Sequence, residues 1–210
     1  MNWTRTLRQG DSGSDVKELQ IRVAGWAAGS PSKTHVAVDG AFGPGTEAAV
    51  KRFQSAYGLS ADGVAGPNTH SQLNALEDSD GSTVHFSFSE FHSKDGSGFS
   101  GGNVGSTQVK ENVRRLMYKL EALRKKLGNP PVVINSGFRS IAHNKSVGGA
   151  SNSMHTYGIA ADVDPSGHTP SQVAEVAKTC GFSGIIKYST FVHNDSRIEY
   201  PYGAASYYWD

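Results

Sequence analysis

A chain of 210 residues with 37% hydrophobic and 10% aromatic side chains can bury one large core or two small ones. Twenty Lys and Arg against nineteen Asp and Glu leave a formal charge of +1, which removes any electrostatic case for nucleic acid or a membrane surface as partner. No run of about 18 apolar residues occurs, so no membrane insertion is expected, and a single cysteine, Cys180, excludes an intramolecular disulfide framework.

The start, "MNWTRTLRQGDSG", lacks the apolar stretch of a signal peptide. Two situations fit: a mature form carrying an added Met, or release by lysis instead of secretion. The first predicted element is a helix in "SGSDVKELQIRVAGW", with Val16, Leu19, Ile21 and Val23 as its apolar positions. An internal repeat follows. "VDGAFGPGTEAAV" (38–50) and "ADGVAGPNTHSQL" (61–73) share the pattern D-G-x-x-G-P-x-T. The D-G and G-P pairs are turn chemistry, and Thr46 and Thr69 are read as N-caps of two further helices. Residues 5–76 are therefore expected to form a compact all-α three-helix unit.

The glycines alone fit any small helical domain stabilised by turns; the doubled pattern with its internal spacing asks for more. L-x-x-G-x-x-G-x-x-V-x-x-L-Q (Leu7 to Gln20), D-G-x-F-G-x-x-T-x-x-A-V-x-x-F-Q (Asp39 to Gln54) and G-L-x-x-D-G-x-x-G-x-x-T (Gly58 to Thr69) resemble the peptidoglycan-binding domain 1 family almost position for position. The resemblance covers about a third of the chain and implies a module that holds bacterial peptidoglycan.

"LEDSDGSTVHF" (76–86) is polar and rich in Gly and Ser at its centre and reads as a linker. Phe86, Phe88 and Phe91 make an aromatic stripe read as core. "STQVKENVRRLMYKLEALRKKLG" (106–128) is the clearest helix, with Val109, Val113, Leu116, Met117, Leu120, Leu123 and Leu127 at helical spacing and its Lys/Arg cluster read as a solvated face. Four strands are expected in Val132–Asn135, "IAADVDP", "GIIKYS" and "FVHNDSRIEY". A helix in "TPSQVAEVAKTCG" starts near Thr169 or Ser171 and holds Cys180 as a small buried hydrophobe. The second unit is thus α+β, a small sheet backed by helices.

Within it, "SMHTYGIAADVD" and "FVHNDSR" carry the chemistry. His155, Asp162 and His193 offer two imidazoles and a carboxylate, enough for a catalytic zinc site with one open position. Gly158 lets the chain turn between His155 and a strand bearing Asp162, and Ala160 and Ala161 leave room for close packing. The residues by themselves leave this reading and an ordinary loop-to-strand entry both open. His35, His70, His85 and His168 fall in loops or on a helix surface and receive no role.

S-x-H-x-x-G-x-A-x-D (Ser153 to Asp162), with "GFRS" (Gly137–Ser140) before it and "FVHNDSR" after it, resembles the zinc signature of the M15 peptidases, the D-alanyl-D-alanine carboxypeptidase and LAS group, from about residue 85 to the end. The resemblance implies a Hedgehog/DD-peptidase-like fold. It implies Zn2+ at His155, Asp162 and His193, and Arg139 holding a substrate carboxylate or the developing oxyanion. Ser153 is either a substrate or His155 hydrogen-bond partner or a turn-forming serine. Many family members place a Glu or His shortly before the last ligand; here Ser189, Thr190, Phe191 and Val192 stand there. Asp195, on the same strand face as His193, is the first candidate base, with orientation of a ligand histidine as its other reading. His143 and Glu199 are further candidates.

The domain division expected is a peptidoglycan-binding domain at 1–78, a linker at 79–84 and a zinc peptidase at 85–210. The function expected is hydrolysis of stem-peptide bonds, foremost the terminal D-Ala-D-Ala, by a monomer acting outside the cell or in the cell wall. A lytic endopeptidase and a non-catalytic wall-binding protein with a degenerate peptidase domain are the alternatives.

Overall fold

The computed structural model describes residues 1–28, 33–204 and 206–210. The N-terminal unit is built of α1 (Ser14–Val23), α2 (Pro44–Ala56) and α3 (Pro67–Asn74). Thr46 and Thr69 do not cap α2 and α3. Gly43 and Gly66 hold the cap positions, and Pro44 and Pro67 take the first helical residue. There a missing N–H costs nothing and the fixed φ already suits the helix.

The threonines instead serve two buried glutamines. The Gln20 amide nitrogen lies within hydrogen-bond reach of Asp39 Oδ1 (2.9 Å), the Ala41 carbonyl (3.0 Å) and Thr46 Oγ1 (3.1 Å), while Gly40 N–H donates to Gln20 Oε1 (2.8 Å). Gln54 repeats the set with Asp62, the Val64 carbonyl, Thr69 and Gly63 N–H at 2.9–3.0 Å. The repeated D-G-x-x-G-P-x-T pattern is the footprint of a buried amide bracing a turn against the helix that follows it.

The core of this unit does not stop at its edge. Leu19, Val50 and Phe53 share one apolar cluster with Tyr118 and Ala122 of α4 (Ser106–Lys126). The opposite side of α4 puts Val113, Leu116 and Leu120 into the core under the sheet. This two-sided burial overturns the solvated reading of its basic cluster, in which no Lys or Arg from Arg114 to Lys126 is exposed. Arg114 pairs with Glu18 at 3.1 Å, Lys126 donates to the Gly25 carbonyl at 3.0 Å, and Lys119 is buried against the Gly181 carbonyl, Ser196 and Glu199. Residues 79–84 form a tight turn in which Ser82 and Thr83 are buried and Thr83 bridges both Glu77 and Phe86.

The sheet contains β1 (Val132–Ser136), β2 (Ala160–Pro165), β3 (Gly184–Lys187), β4 (Val192–Asp195) and β5 (Tyr208–Trp209), in the order β1-β2-β4-β3-β5. All neighbours are antiparallel except β3 and β5. The expected fourth strand is shorter than its apolar pattern suggested: Ser196 leaves the extended region and Arg197–Glu199 is a 3₁₀ turn. β5 is a fifth strand, too short to show any alternation in sequence. A short helix α5 (Ile141–Ser146) and a 3₁₀ turn (Met154–Tyr157) occupy the loop between β1 and β2. Helix α6 (Pro170–Ala177) starts at a Thr169 capping box with Gln172 and ends before Cys180, which is buried in the turn beyond it.

Gln54→Ala leaves Gly63 N–H and Thr69 without their partner and should lower the unfolding free energy by about 1–3 kcal/mol. A urea titration against the parent protein measures it.

Candidate metal centre

His155 sits in the 3₁₀ turn that ends at Gly158, whose φ of 74° is the left-handed region. A Cβ there would also lie 2.9 Å from Val109 Cγ1 and 3.0 Å from the Val109 carbonyl, so the turn needs glycine on both counts. The chain then enters β2, where Asp162 stands opposite His193 of β4 and, on the other side, Ser136 of β1. The turn after β1 grips His155 twice. Its Nδ1 lies 2.6 Å from the Gly137 carbonyl, and Arg139 N–H donates to the His155 carbonyl at 3.1 Å.

Three donor atoms converge. His155 Nε2 is 3.1 Å from His193 Nδ1 and 3.2 Å from Asp162 Oδ1, and His193 Nδ1 is 2.9 Å from Asp162 Oδ1. A tetrahedral zinc with bonds of about 2.0–2.1 Å has donor–donor edges of about 3.3 Å, so the trio already has the size of one face of such a site. The tautomers follow from the outer partners. A carbonyl only accepts, so His155 Nδ1 carries the proton and Nε2 offers its lone pair inward. His193 Nε2 donates to Asp195 Oδ2 at 3.0 Å, which turns Nδ1 inward. His155, Asp162 and His193 are all buried, and they are a group among the described residues able to hold a metal ion.

Burial and the neighbouring groups shift the ionisation of all three side chains. Burial would raise the Asp162 carboxyl, but the His155 and His193 imidazoles beside it outweigh burial and hold the group well below the usual carboxylate range. Burial pushes His155 down, and Asp162 offsets this only in part. Burial would also lower His193, but Asp162 on one nitrogen and Asp195 on the other raise it.

The trio forms part of a cleft of about 390 Å³. Arg139 and Ser153 line it, as do Val147, Ile186, Tyr188 and Phe191. Arg139 Nη2 donates to Asp162 Oδ2 at 2.7 Å and its Nε to Ser136 Oγ at 2.8 Å. Asp195 is not in the cleft: it is fully buried behind His193, on the nitrogen facing away from the trio. His143 and Glu199 do not line the cleft either, and Glu199 is the partner of Lys119. Sequence reasoning passed over Arg197, which holds Asp195; the only signal was its place two residues after Asp195.

Comparison with known proteins fits this arrangement. Residues 84–195 match the family model described as Peptidase M15, and residues 12–73 the model described as a putative peptidoglycan binding domain. The zinc D-Ala-D-Ala carboxypeptidase of Streptomyces albus G is 44% identical over 193 residues, covering 92% of this chain and 74% of that protein. The chain belongs to the peptidase M15 family. The M15 peptidase also shares 44% identity over 71 residues with a probable N-acetylmuramoyl-L-alanine amidase of Bacillus licheniformis, covering 34% of this chain and 19% of that protein. It shares 39% identity over 83 residues with a spore cortex-lytic enzyme of Bacillus cereus, covering 39% of this chain and 29% of that protein. It is a zinc metallopeptidase that carries a peptidoglycan-binding domain.

Burial lowers His155 whereas Asp162 and Asp195 raise His193, so protons compete with a metal ion mainly at His193. Zinc uptake should therefore release protons and tighten as pH rises, because a protonated imidazole nitrogen cannot bind the metal. Calorimetric titration of zinc into the metal-free protein, in buffers of different ionisation enthalpy and at several pH values, measures the protons released.

Proposed function

We propose that this M15 peptidase hydrolyses the terminal D-Ala-D-Ala bond of peptidoglycan stem peptides, with residues 1–78 as the wall-binding domain, 79–84 as the connection and 85–210 as the catalytic domain. One observation carries the reading: His155 Nε2, Asp162 Oδ1 and His193 Nδ1 converge beside Arg139 in a single cleft. The 44% identity to a zinc D-Ala-D-Ala carboxypeptidase supports the choice of bond.

Zinc, when bound by His155, Asp162 and His193, supplies Lewis acidity toward oxygen and lowers the pKa of water to about 7. The chain's own residues do the rest. Arg139 is a fixed fork, tied through Nη2 to Asp162 and through Nε to Ser136. Its charge meets the free carboxylate that ends a stem pentapeptide and registers the last peptide bond beside the metal ligands. Ser153 offers a hydroxyl at the cleft wall for the substrate backbone. Val147, Ile186, Tyr188 and Phe191 give an apolar wall that suits small alanine side chains. Asp195, behind His193, orients that imidazole; its burial and its distance from the cleft argue against a role as proton acceptor.

The N-terminal unit shares a core with α4 instead of hanging on a free tether. Binding of wall polymer there both raises the local substrate concentration and presents the cleft in a set orientation. No helix among the described residues is long and apolar enough to cross a membrane. The protein acts as a monomer on peptidoglycan outside the cytoplasm.

Release of D-Ala from a stem pentapeptide, abolished by a chelator and restored by zinc, is the expected result. Cleavage confined to intact peptidoglycan would move the reading to an endopeptidase, and no chelator-sensitive cleavage of either substrate would end it. Arg139→Met should raise KM for the pentapeptide at least tenfold, checked by steady-state kinetics at saturating zinc. Asp195→Asn should weaken zinc about 10–100-fold; lost turnover with wild-type zinc affinity would make Asp195 the base instead.

A further inference from the structure

Behind the metal ligands lies a second device that the reaction as described does not use. Arg197 closes on Asp195 from three directions. Its backbone N–H donates to Asp195 Oδ1 at 2.9 Å, its Nε reaches Oδ1 at 3.0 Å and Oδ2 at 3.2 Å, and its Nη2 donates to Oδ2 at 2.7 Å. The same Oδ2 accepts from His193 Nε2 at 3.0 Å. On the remaining side β3 presses its backbone against the carboxylate, since a Cβ on Gly184 would fall 2.2 Å from Oδ2. A carboxylate held this way has one orientation, and the imidazole it carries has one too.

The arginine is itself seated by the end of the chain. Its guanidinium carbon lies 5.2 Å from the centre of the Tyr208 ring. Tyr208 belongs to β5 and is fastened by its own N–H to the Ser183 carbonyl at 2.7 Å. Contacts therefore run without a gap from Tyr208 through Arg197 and Asp195 to His193.

We infer that Arg197 is a positioning residue of the metal centre, and that the C-terminal strand, through Tyr208, is part of the support that aims His193 Nδ1. The inference rests on the zinc reading of the trio. The fork matters, because one planar guanidinium spans both carboxylate oxygens and a lysine is a point charge that meets one. Outer partners of metal-bound imidazoles set ring orientation, and losing one costs about 10–100-fold in metal affinity.

The test is a zinc titration of the metal-free full chain against a chromophoric chelator, with thermal unfolding of each metal-free protein alongside. Arg197→Met should raise the zinc dissociation constant about 10–100-fold; because it leaves the buried Asp195 carboxylate without its charge partner, the metal-free protein should also unfold at a lower temperature while staying folded under the titration conditions. Arg197→Lys should fall between it and the parent, and Tyr208→Ala should shift zinc in the same direction by less. Saturating zinc should return most of the turnover to all three. Parent-like zinc affinity in Arg197→Met overturns the inference. If that variant does not fold, Arg197→Lys decides: weakened zinc supports the role and parent-like affinity overturns it. A parent protein that takes up no zinc overturns the metal reading as well, whereas normal uptake by the parent with unchanged variants overturns this inference alone.

Discussion

The pairing register of β2 against β4 is the constraint on which the metal centre depends. Asp162 stands opposite His193 in that ladder, and Ala160 opposite Asp195. Side chains alternate along a strand, so His193 and Asp195 share one face. A slip of one residue would turn Asp162 to the opposite face and leave His155 facing an apolar side chain. The register also gives His193 its two neighbours, Asp162 toward the cleft and Asp195 away from it. Every other feature of the site refines this one: Gly158 aims His155 at the pair, and the turn after β1 brings Arg139 to the free oxygen of Asp162.

Buried charge on this scale needs internal balance. Asp162 and Asp195 are carboxylates in the interior, and both are held well below the usual carboxylate range because their hydrogen-bond partners outweigh burial. Between them stands His193, raised by both. A proton on His193 Nδ1 and a zinc ion at the trio answer the same need, positive charge beside Asp162.

Helix α4 is the second organising element. Its apolar residues divide between two cores, one under the sheet and one shared with the N-terminal helices. Tyr118 and Ala122 face α1, and the ion pair of Glu18 with Arg114 and the bond from Lys126 to the Gly25 carbonyl border that contact. A helix buried on two sides has little solvated face left, which is why Arg114 and Lys126 act as links between the two units. Further along the chain Tyr207 meets His35 at 3.1 Å, so the C-terminal residues touch the N-terminal unit as well.

What the sequence determined by itself is local. The doubled D-G-x-x-G-P-x-T pattern, the heptad-like apolar spacing of α4, the Thr169 cap and the S-x-H-x-x-G-x-A-x-D stretch all encode their meaning within a few turns of chain. They were enough to mark a helical unit, an α+β unit and the residues His155, Asp162 and His193. The tertiary structure decided everything that depends on distance across the chain. Thr46 and Thr69 look like caps until Gln20 and Gln54 are seen to need them. The basic face of α4 looks solvated until α1 covers it. Asp195 is compatible in sequence with either side of His193, and only the packing of Gly184 and Arg197 around it puts it on the far side. Short-range propensity is written in neighbouring residues, whereas the direction of a buried carboxylate is set by groups that the fold brings together from separate strands.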